Sequence, residues 1–294
     1  MSTKTILVIG QGFLGNQIII EALDLRLDVI GTHHSKINNQ TLNLDVTSLE
    51  NVETLVKKIN PNYIINCAVR GDVEFLQKHK EAAMTVNATG SLNVAKVCRE
   101  NDIRLIHIST DAVFDGKNGC YSEDDLPNPV NVYAQSKLEG EVNVAKTLKD
   151  YVIVRTNFYG LDSRGKYFLN WILSSLKNSS KIIGFTDVIF SPLDINTLSR
   201  LLIELLSSKY TGIIHLSSGQ PISKYNFILE VAKNLSFSTK NIAPGKLSDV
   251  SLIAPRPKNT SLENQVQKKI LSTPIIDLQD WLEQNKKQLM TYLD

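Results

Sequence analysis

The sequence predicts an α/β protein, a doubly wound parallel sheet followed by a smaller C-terminal domain, and three observations predict it. Short β-branched runs alternate with amphipathic stretches through the first half of the chain, the pattern of strands buried on both faces and joined by crossover helices. The first run leads directly into a glycine-rich turn and then a helical pattern. After Gly160 the alternation loosens. The chain is therefore divided into residues 1–160, which form the sheet, and residues 161–294, mostly a second domain, with a segment near 187–216 returning to the first.

Taken in order, strands are expected at 6–9, 27–31, 41–44, 63–66, 103–108 and 151–155, with helices near 13–25, 48–59, 81–100 and 131–148 between most of them. Beyond Gly160 the patterns give a helix near 166–177, a strand at 181–183, a helix at 194–207, a strand at 212–216 and a helix at 223–235. Residues 236–260, rich in Ser, Asn, Pro and Lys and holding Pro244, Pro255 and Pro257, show no sustained period and read as an irregular, functional loop.

Composition narrows the function. The 294 residues carry 32 Lys and Arg against 30 Asp and Glu, a net charge of +2, with 42% apolar residues. A globular chain of this kind has a core large enough to need neither metal nor disulfide. The interspersed charge leaves no basic stripe for nucleic acid, so the expected partner is a small molecule, with a homodimer as the one protein partner kept open. Cys67, Cys98 and Cys120 lack C-x-x-C spacing and read as packed thiols of a reducing compartment. Residues 1–9 lack the succession of a secretory signal, and no apolar run approaches the about 18 residues of a membrane span. A cytoplasmic protein, away from membranes, is expected.

The glycine-rich turn reads Gly10-Gln11-Gly12-Phe13-Leu14-Gly15. A G-x-G-x-x-G between a strand and a helix suits a dinucleotide: Gly10 permits the tight turn, Gly12 lets a pyrophosphate approach the backbone, and Gly15 lets the helix pack on the strand. The sheet is thus Rossmann-like. An NAD site usually carries a carboxylate about 20 residues further on, for the ribose 2′-hydroxyl. Here the second strand ends Gly31-Thr32-His33-His34-Ser35-Lys36. No carboxylate stands there to repel a 2′-phosphate, and Thr32, Ser35, Lys36 and a histidine such as His33 could donate to one. NADP(H) is favoured over NAD(H). Asp45, followed by Val46, could accept from the adenine amino group or cap the helix that starts at Ser48.

Tyr133 and Lys137 are spaced to share one face of a helix, and the fifth strand ends His107-Ile108-Ser109-Thr110-Asp111 at the sheet edge where such folds bind ligands. A phenol is a poor acid at neutral pH, but an adjacent ammonium and an oxidised nicotinamide favour the phenolate. Tyr133 then serves as acid or base. Lys137 would supply the field and hold the nicotinamide ribose, and the Thr110 hydroxyl would orient the substrate oxygen. His107 is assigned to packing, His79 and His215 are isolated, and no spacing of ligating residues suggests a metal.

These motifs together resemble the extended short-chain dehydrogenase/reductase family, in its branch of nucleotide-sugar reductases. The resemblance runs through residues 108–116 (Ile-Ser-Thr-Asp-Ala-Val-Phe-Asp-Gly), 129–141, 154–160 and 254–262. It implies NADPH-dependent reduction of the 4-keto group of a nucleotide-linked 6-deoxysugar, with Thr110, Tyr133 and Lys137 as the triad and a C-terminal substrate domain. It also implies cofactor contacts at Gly10, Gly12, Phe13, Leu14, Gly15, Thr32, His33, Ser35, Asp45, Val46, Cys67, Ala68 and Val69. Asp111, Asn157 and Phe158 would line the sugar pocket, with Arg256 near the diphosphate. The chain departs from that branch at Ala112, where the branch has Tyr, at 66–71, and in a glycine loop one residue shorter than usual. An epimerase or dehydratase that retains NAD, and a non-catalytic regulatory subunit of the same fold, stay open as alternatives.

Overall fold

The computed structural model describes residues 4–34 and 42–293. The chain begins with β1 (Thr5–Ile9), α1 (Phe13–Asp24), β2 (Asp28–His33), β3 (Leu42–Asn43), α2 (Leu49–Ile59) and β4 (Tyr63–Asn66). It continues through α3 (Val73–Lys78), α4 (Lys80–Ala83), α5 (Gly90–Glu100), β5 (Arg104–Ile108), α6 (Val132–Thr147) and β6 (Tyr151–Thr156). Then come β7 (Phe158–Tyr159), α7 (Phe168–Lys177), β8 (Ile182–Phe185), β9 (Ile189–Phe190), β10 (Leu193–Asp194) and α8 (Ile195–Ser207). The last part holds β11 (Gly212–Leu216), β12 (Ile222–Ser223), α9 (Lys224–Asn234), β13 (Ile242–Gly245), α10 (Gln265–Ile270) and α11 (Leu278–Leu293).

Seven strands form one sheet in the order β3-β2-β1-β4-β5-β6-β11, parallel throughout. Strand β1 shows why both faces are apolar. Ile6 and Val8 join one core with α1 and α8, while Leu7 and Ile9 join another with α2 and α5, because successive side chains of a strand point to opposite faces. Helix α8 seals the first core with Leu198, Leu201, Leu202 and Leu205, all fully buried; truncating one of them to Ala would cost about 2–5 kcal/mol. The chain order reverses between β1 and β4, so a crevice opens there at the carboxyl ends of the strands.

The remaining chain packs a separate core from α7, α9 and α11, with Phe190, Phe227 and Trp281 at its centre, beside three two-stranded sheets, β7–β10, β9–β12 and β8–β13. Among the described residues no helix is long and apolar enough to cross a membrane.

Several boundaries differ from the sequence expectation. Strand β2 runs on to His33, which carries Thr32 and His33 into the sheet. The expected third strand is described only at Leu42–Asn43; Thr41 lies outside the described residues. The helix expected near 81–100 starts at Lys80 and contains a π-helical segment, Met84–Thr89, a departure found mostly at functional sites. Ser48, Asn131 and Ser223 are caps, each accepting the backbone N–H three residues ahead. The 236–260 stretch is not wholly irregular, since β13 pairs with β8. Helices α3, α10 and α11 were not anticipated. The apolar positions of α11 (Trp281, Leu282, Leu289 and Leu293) are buried against α7 and α9, but Lys and Gln between them dilute the helical period.

Candidate active site

Two adjoining clefts and one cavity meet at the carboxyl edge of the sheet. The first cleft, about 410 Å³, lies against the glycine loop and is lined by Phe13, Leu14, Cys67, Val69, Ser109, Tyr133, Lys137 and Phe158. The second, about 500 Å³, continues past Gly10 and Gly12 to Thr32, His33, Asp45, Val46, Ala68 and Arg164. The cavity, about 580 Å³, is walled by Asp111, Ala112, Asn157, Phe168, Trp171, Lys224, Arg256 and Thr260, among others.

The glycine loop fits a pyrophosphate. Gly10 sits at φ +86°, where a Cβ would also lie 2.7 Å from the Ala68 amide. A Cβ on Gly15 would overlap the Gly10 carbonyl oxygen, so Gly15 holds α1 against the loop. A Cβ on Gly12 would meet nothing within 4 Å, so its bare backbone faces open cleft. Helix α1 has no side-chain cap and no acidic residue in its first turn, which leaves its N-terminal amides and dipole for an anion.

At the far end, Thr32 both lines the cleft and supports the glycine turn. It is 1% exposed; its hydroxyl accepts the Gly10 amide at 3.3 Å and its carbonyl accepts the Gln11 amide at 2.7 Å, so it shapes the turn. His33 faces the cleft, its basicity lowered by burial and then by the charge of Arg164. Ser35 and Lys36 lie outside the described residues. Arg164 enters from the segment beyond β7, ion-paired to Asp162 at 3.0 Å. Asp45 accepts the Thr47 amide and hydroxyl at 2.9 and 2.7 Å; the α2 cap is Ser48 instead.

The reaction centre is built by three neighbouring elements. Asn131 caps α6 through the Ala134 amide at 2.9 Å, and the first turns of that helix carry Tyr133 and Lys137. Lys137 Nζ donates to the Ile108 carbonyl at 2.7 Å, the last residue of β5. The Thr110 hydroxyl, just beyond it, donates to the Asp111 carboxylate at 3.2 Å and accepts the Ala112 amide at 3.2 Å, and it is near enough to the Tyr133 phenol to lower its pKa. The expected lowering of the Tyr133 pKa is not met in the protein by itself. Burial pushes the phenol up to about 12, and the Asp111 charge adds to that while the Thr110 bond opposes it. Lys137 is brought down to about 8 by burial, against the pull of Glu141 and Cys67. Cys67 lines both clefts, and burial raises its thiol to about 12.

Behind this face a buried pair steadies α6. Glu141, 3% exposed, accepts Arg155 Nη2 at 2.8 Å and Nε at 3.1 Å, and also the Ser109 hydroxyl. Asn87, in the π segment, accepts the Arg70 amide at 2.8 Å and donates to the Ser136 hydroxyl at 2.9 Å. It thereby ties the 66–71 loop over the cleft to the helix of Tyr133. His107 is fully buried, its Nδ1 3.4 Å from Asn66.

In the cavity, the Asp111 carboxylate accepts Thr260 at 2.6 Å and Asn157 at 3.0 Å, and burial raises its pKa in spite of these bonds. Phe158 lines the cleft beside Tyr133, 6.0 Å from the Phe13 ring, whereas Asp111 and Asn157 line the cavity. Arg256 is engaged by Glu74 at 2.7 Å and by the Ala254 carbonyl at 2.8 Å. Sequence reasoning missed Asn87, Arg164, Phe168, Trp171 and Lys224. None carries a local motif; the Met84–Thr89 helix, the loop before α7, α7 itself and α9 bring them in only once the chain has folded.

Residues 4–293 match the RmlD substrate binding domain family. The probable low-salt glycan biosynthesis reductase Agl14 of Haloferax volcanii is 30% identical over 264 residues, 86% of this chain and 87% of that protein. Methionine adenosyltransferase 2 subunit beta of Danio rerio is 26% identical over 269 residues, 88% and 83% of the two chains. The crystal structure of dTDP-4-dehydrorhamnose reductase from Bacillus anthracis in complex with NADP superposes with a TM-score of 0.86 at 26% identity, covering 99% of each chain. With a glycine loop open to a pyrophosphate, Tyr133 and Lys137 lining the cleft against it, and a match that spans the described chain, this protein belongs to the RmlD substrate binding domain family of extended short-chain dehydrogenases/reductases.

Proposed function

We propose that the protein is an NADPH-dependent reductase of the 4-keto group of a nucleotide-linked 6-deoxysugar, of the dTDP-4-dehydrorhamnose reductase type. One observation carries the reading. Tyr133 and Lys137 line the cleft of the glycine loop, while Asp111 and Ala112, directly after Thr110, line the cavity, so the acid stands where cofactor and substrate spaces meet.

NADPH, when bound along the cleft, supplies the hydride that reaches the carbonyl carbon. The residues do the rest. Burial keeps the Tyr133 phenol protonated, so it can give its proton to the carbonyl oxygen and close the hydroxyl. The Thr110 hydroxyl holds that phenol in place. The Lys137 ammonium, fixed on the Ile108 carbonyl, favours the phenolate left behind and stands ready for the ribose hydroxyls. Phe13, Phe158 and Tyr167, ringed at the cleft mouth, exclude water from the reacting carbon. A reducing, cytoplasmic setting suits the three cysteines, all free.

The test is absorbance at 340 nm with NADPH or NADH and a 4-keto-6-deoxysugar nucleotide generated in the cuvette. Substrate-dependent loss that vanishes in Tyr133→Phe is the expected result. Steady absorbance from a protein that still binds NADPH would overturn it. That outcome would favour the second reading, a binding subunit, which the likeness to methionine adenosyltransferase 2 subunit beta supports.

A further inference from the structure

Two cations face the 580 Å³ cavity, and their surroundings differ. Arg256 already has its charge met by Glu74 and its second hydrogen-bonding arm by the Ala254 carbonyl. Lys224, the first residue of α9, has neither. Among the described residues it forms no ion pair and no side-chain hydrogen bond. Its Nζ lies 3.2 Å from the centre of the Phe190 ring and 4.4 Å from that of Phe168, both on the cavity wall. Aromatic faces steady an ammonium without neutralising it, so its charge is left for a ligand. Asp111 is near enough for its charge to be felt but beyond ion-pairing distance, and its carboxylate is already held by Thr260 and Asn157. Burial brings Lys224 down to about 7, against the pull of Asp111, a cost that a bound anion would offset.

We infer that Lys224, and not Arg256, is the cation that binds the diphosphate of the substrate. The inference rests on the nucleotide-sugar reading above. In such a substrate the diphosphate is attached at C1, across the pyranose ring from C4, so a sugar whose C4 reaches Tyr133 carries its phosphates into the cavity and away from the cleft. Phe168 and Phe190 then keep the Lys224 stem extended toward them, and Arg256 acts through the loop it pins to α3.

The experiment is titration of the full-length protein with dTDP alone, followed by the fluorescence of Trp171 on the cavity wall. The same titration is made on Lys224→Met, Lys224→Arg and Arg256→Gln, with NADPH binding measured on each. Removing a charge-assisted phosphate contact should weaken dTDP about tenfold or more in Lys224→Met. Lys224→Arg should stay within about threefold, Arg256→Gln should lose less than Lys224→Met, and NADPH affinity should hold in all three. In turnover the Lys224→Met loss should fall on KM and not on kcat. A dTDP affinity in Lys224→Met within twofold of the parent, or a larger loss in Arg256→Gln, overturns the assignment alone. A parent that binds NADPH but not dTDP, UDP or GDP overturns the nucleotide-sugar reading and this inference with it. Should Lys224→Met fail to bind NADPH through misfolding, Lys224→Gln against Lys224→Arg makes the same decision.

Discussion

The cleft and the cavity are built in opposite ways. The cleft is made of strand ends and the turns that follow them: Gly10–Gly15 after β1, Thr32–His33 at β2, Cys67–Val69 after β4 and Ile108–Ser109 at the end of β5. Much of its chemistry is backbone, exposed because glycine has no Cβ. The cavity is made largely of side chains from α7, β8, β9 and α9, which carry no motif, closed by Asp111, Ala112, Asn157 and the residues around Arg256. A backbone site needs a few residues at fixed spacing, whereas a side-chain site can be assembled from many sequences.

The largest expected effect tests the seam between the two. Tyr133→Phe should lower kcat by about 10²–10⁴-fold with NADPH affinity nearly unchanged; an equal loss of NADPH binding would show that the phenol belongs to the cleft alone. Next in size is the buried support. Glu141→Gln leaves the Arg155 charge, 2% exposed, without its partner and should cost about 3–5 kcal/mol of stability, read by urea unfolding.

Two glycines separate backbone geometry from ligand approach. Gly15→Ala collides with the Gly10 carbonyl and should cost about 1–3 kcal/mol. Gly12→Ala points into open cleft; it should unfold within about 0.5 kcal/mol of the parent while weakening NADPH several-fold. Equal stability losses in the two would break the distinction. A smaller effect is expected from Arg164→Gln, which should reduce the preference for NADPH over NADH by about threefold to tenfold in direct binding, since Arg164 shares the cleft with His33.

The smallest concerns a tether away from both regions, at the far end of α8. Glu204 of α8 accepts the amides and hydroxyls of Ser272 and Thr273. Burial pushes its carboxyl up, but these bonds outweigh it and bring the pKa to about 2. A depressed carboxylate contributes stability above its unfolded pKa and loses it as pH falls through the folded one. Glu204→Gln should therefore cost about 1 kcal/mol or less at neutral pH, after solvent screening, with the difference vanishing as pH falls from about 4.5 toward 2.

Legibility followed the same divide. The order of strands and helices through β6, α3 apart, could be read from β-branched runs and helical spacing, and the glycine loop, Thr110, Tyr133 and Lys137 from short motifs. That Phe158 faces the cleft while Asn157 faces the cavity could not be read, because a motif places a residue on a strand without saying which neighbour it faces. The phenol of Tyr133, expected to fall beside Lys137 and an oxidised nicotinamide, is raised by burial in the protein alone, because desolvation is a property of everything packed round it.

By itself the sequence determined the doubly wound sheet, the anion-binding turn and the residue types of the triad, since each depends on local spacing and on backbone that glycine alone permits. The tertiary structure decided which cations remain free. Arg256 is met by Glu74 from α3, Lys224 is held between Phe168 of α7 and Phe190 of β9, and Arg164 is brought to His33 from beyond β7. Charge pairing and burial act through space, so residues far apart in the chain set them, and no spacing along it records them.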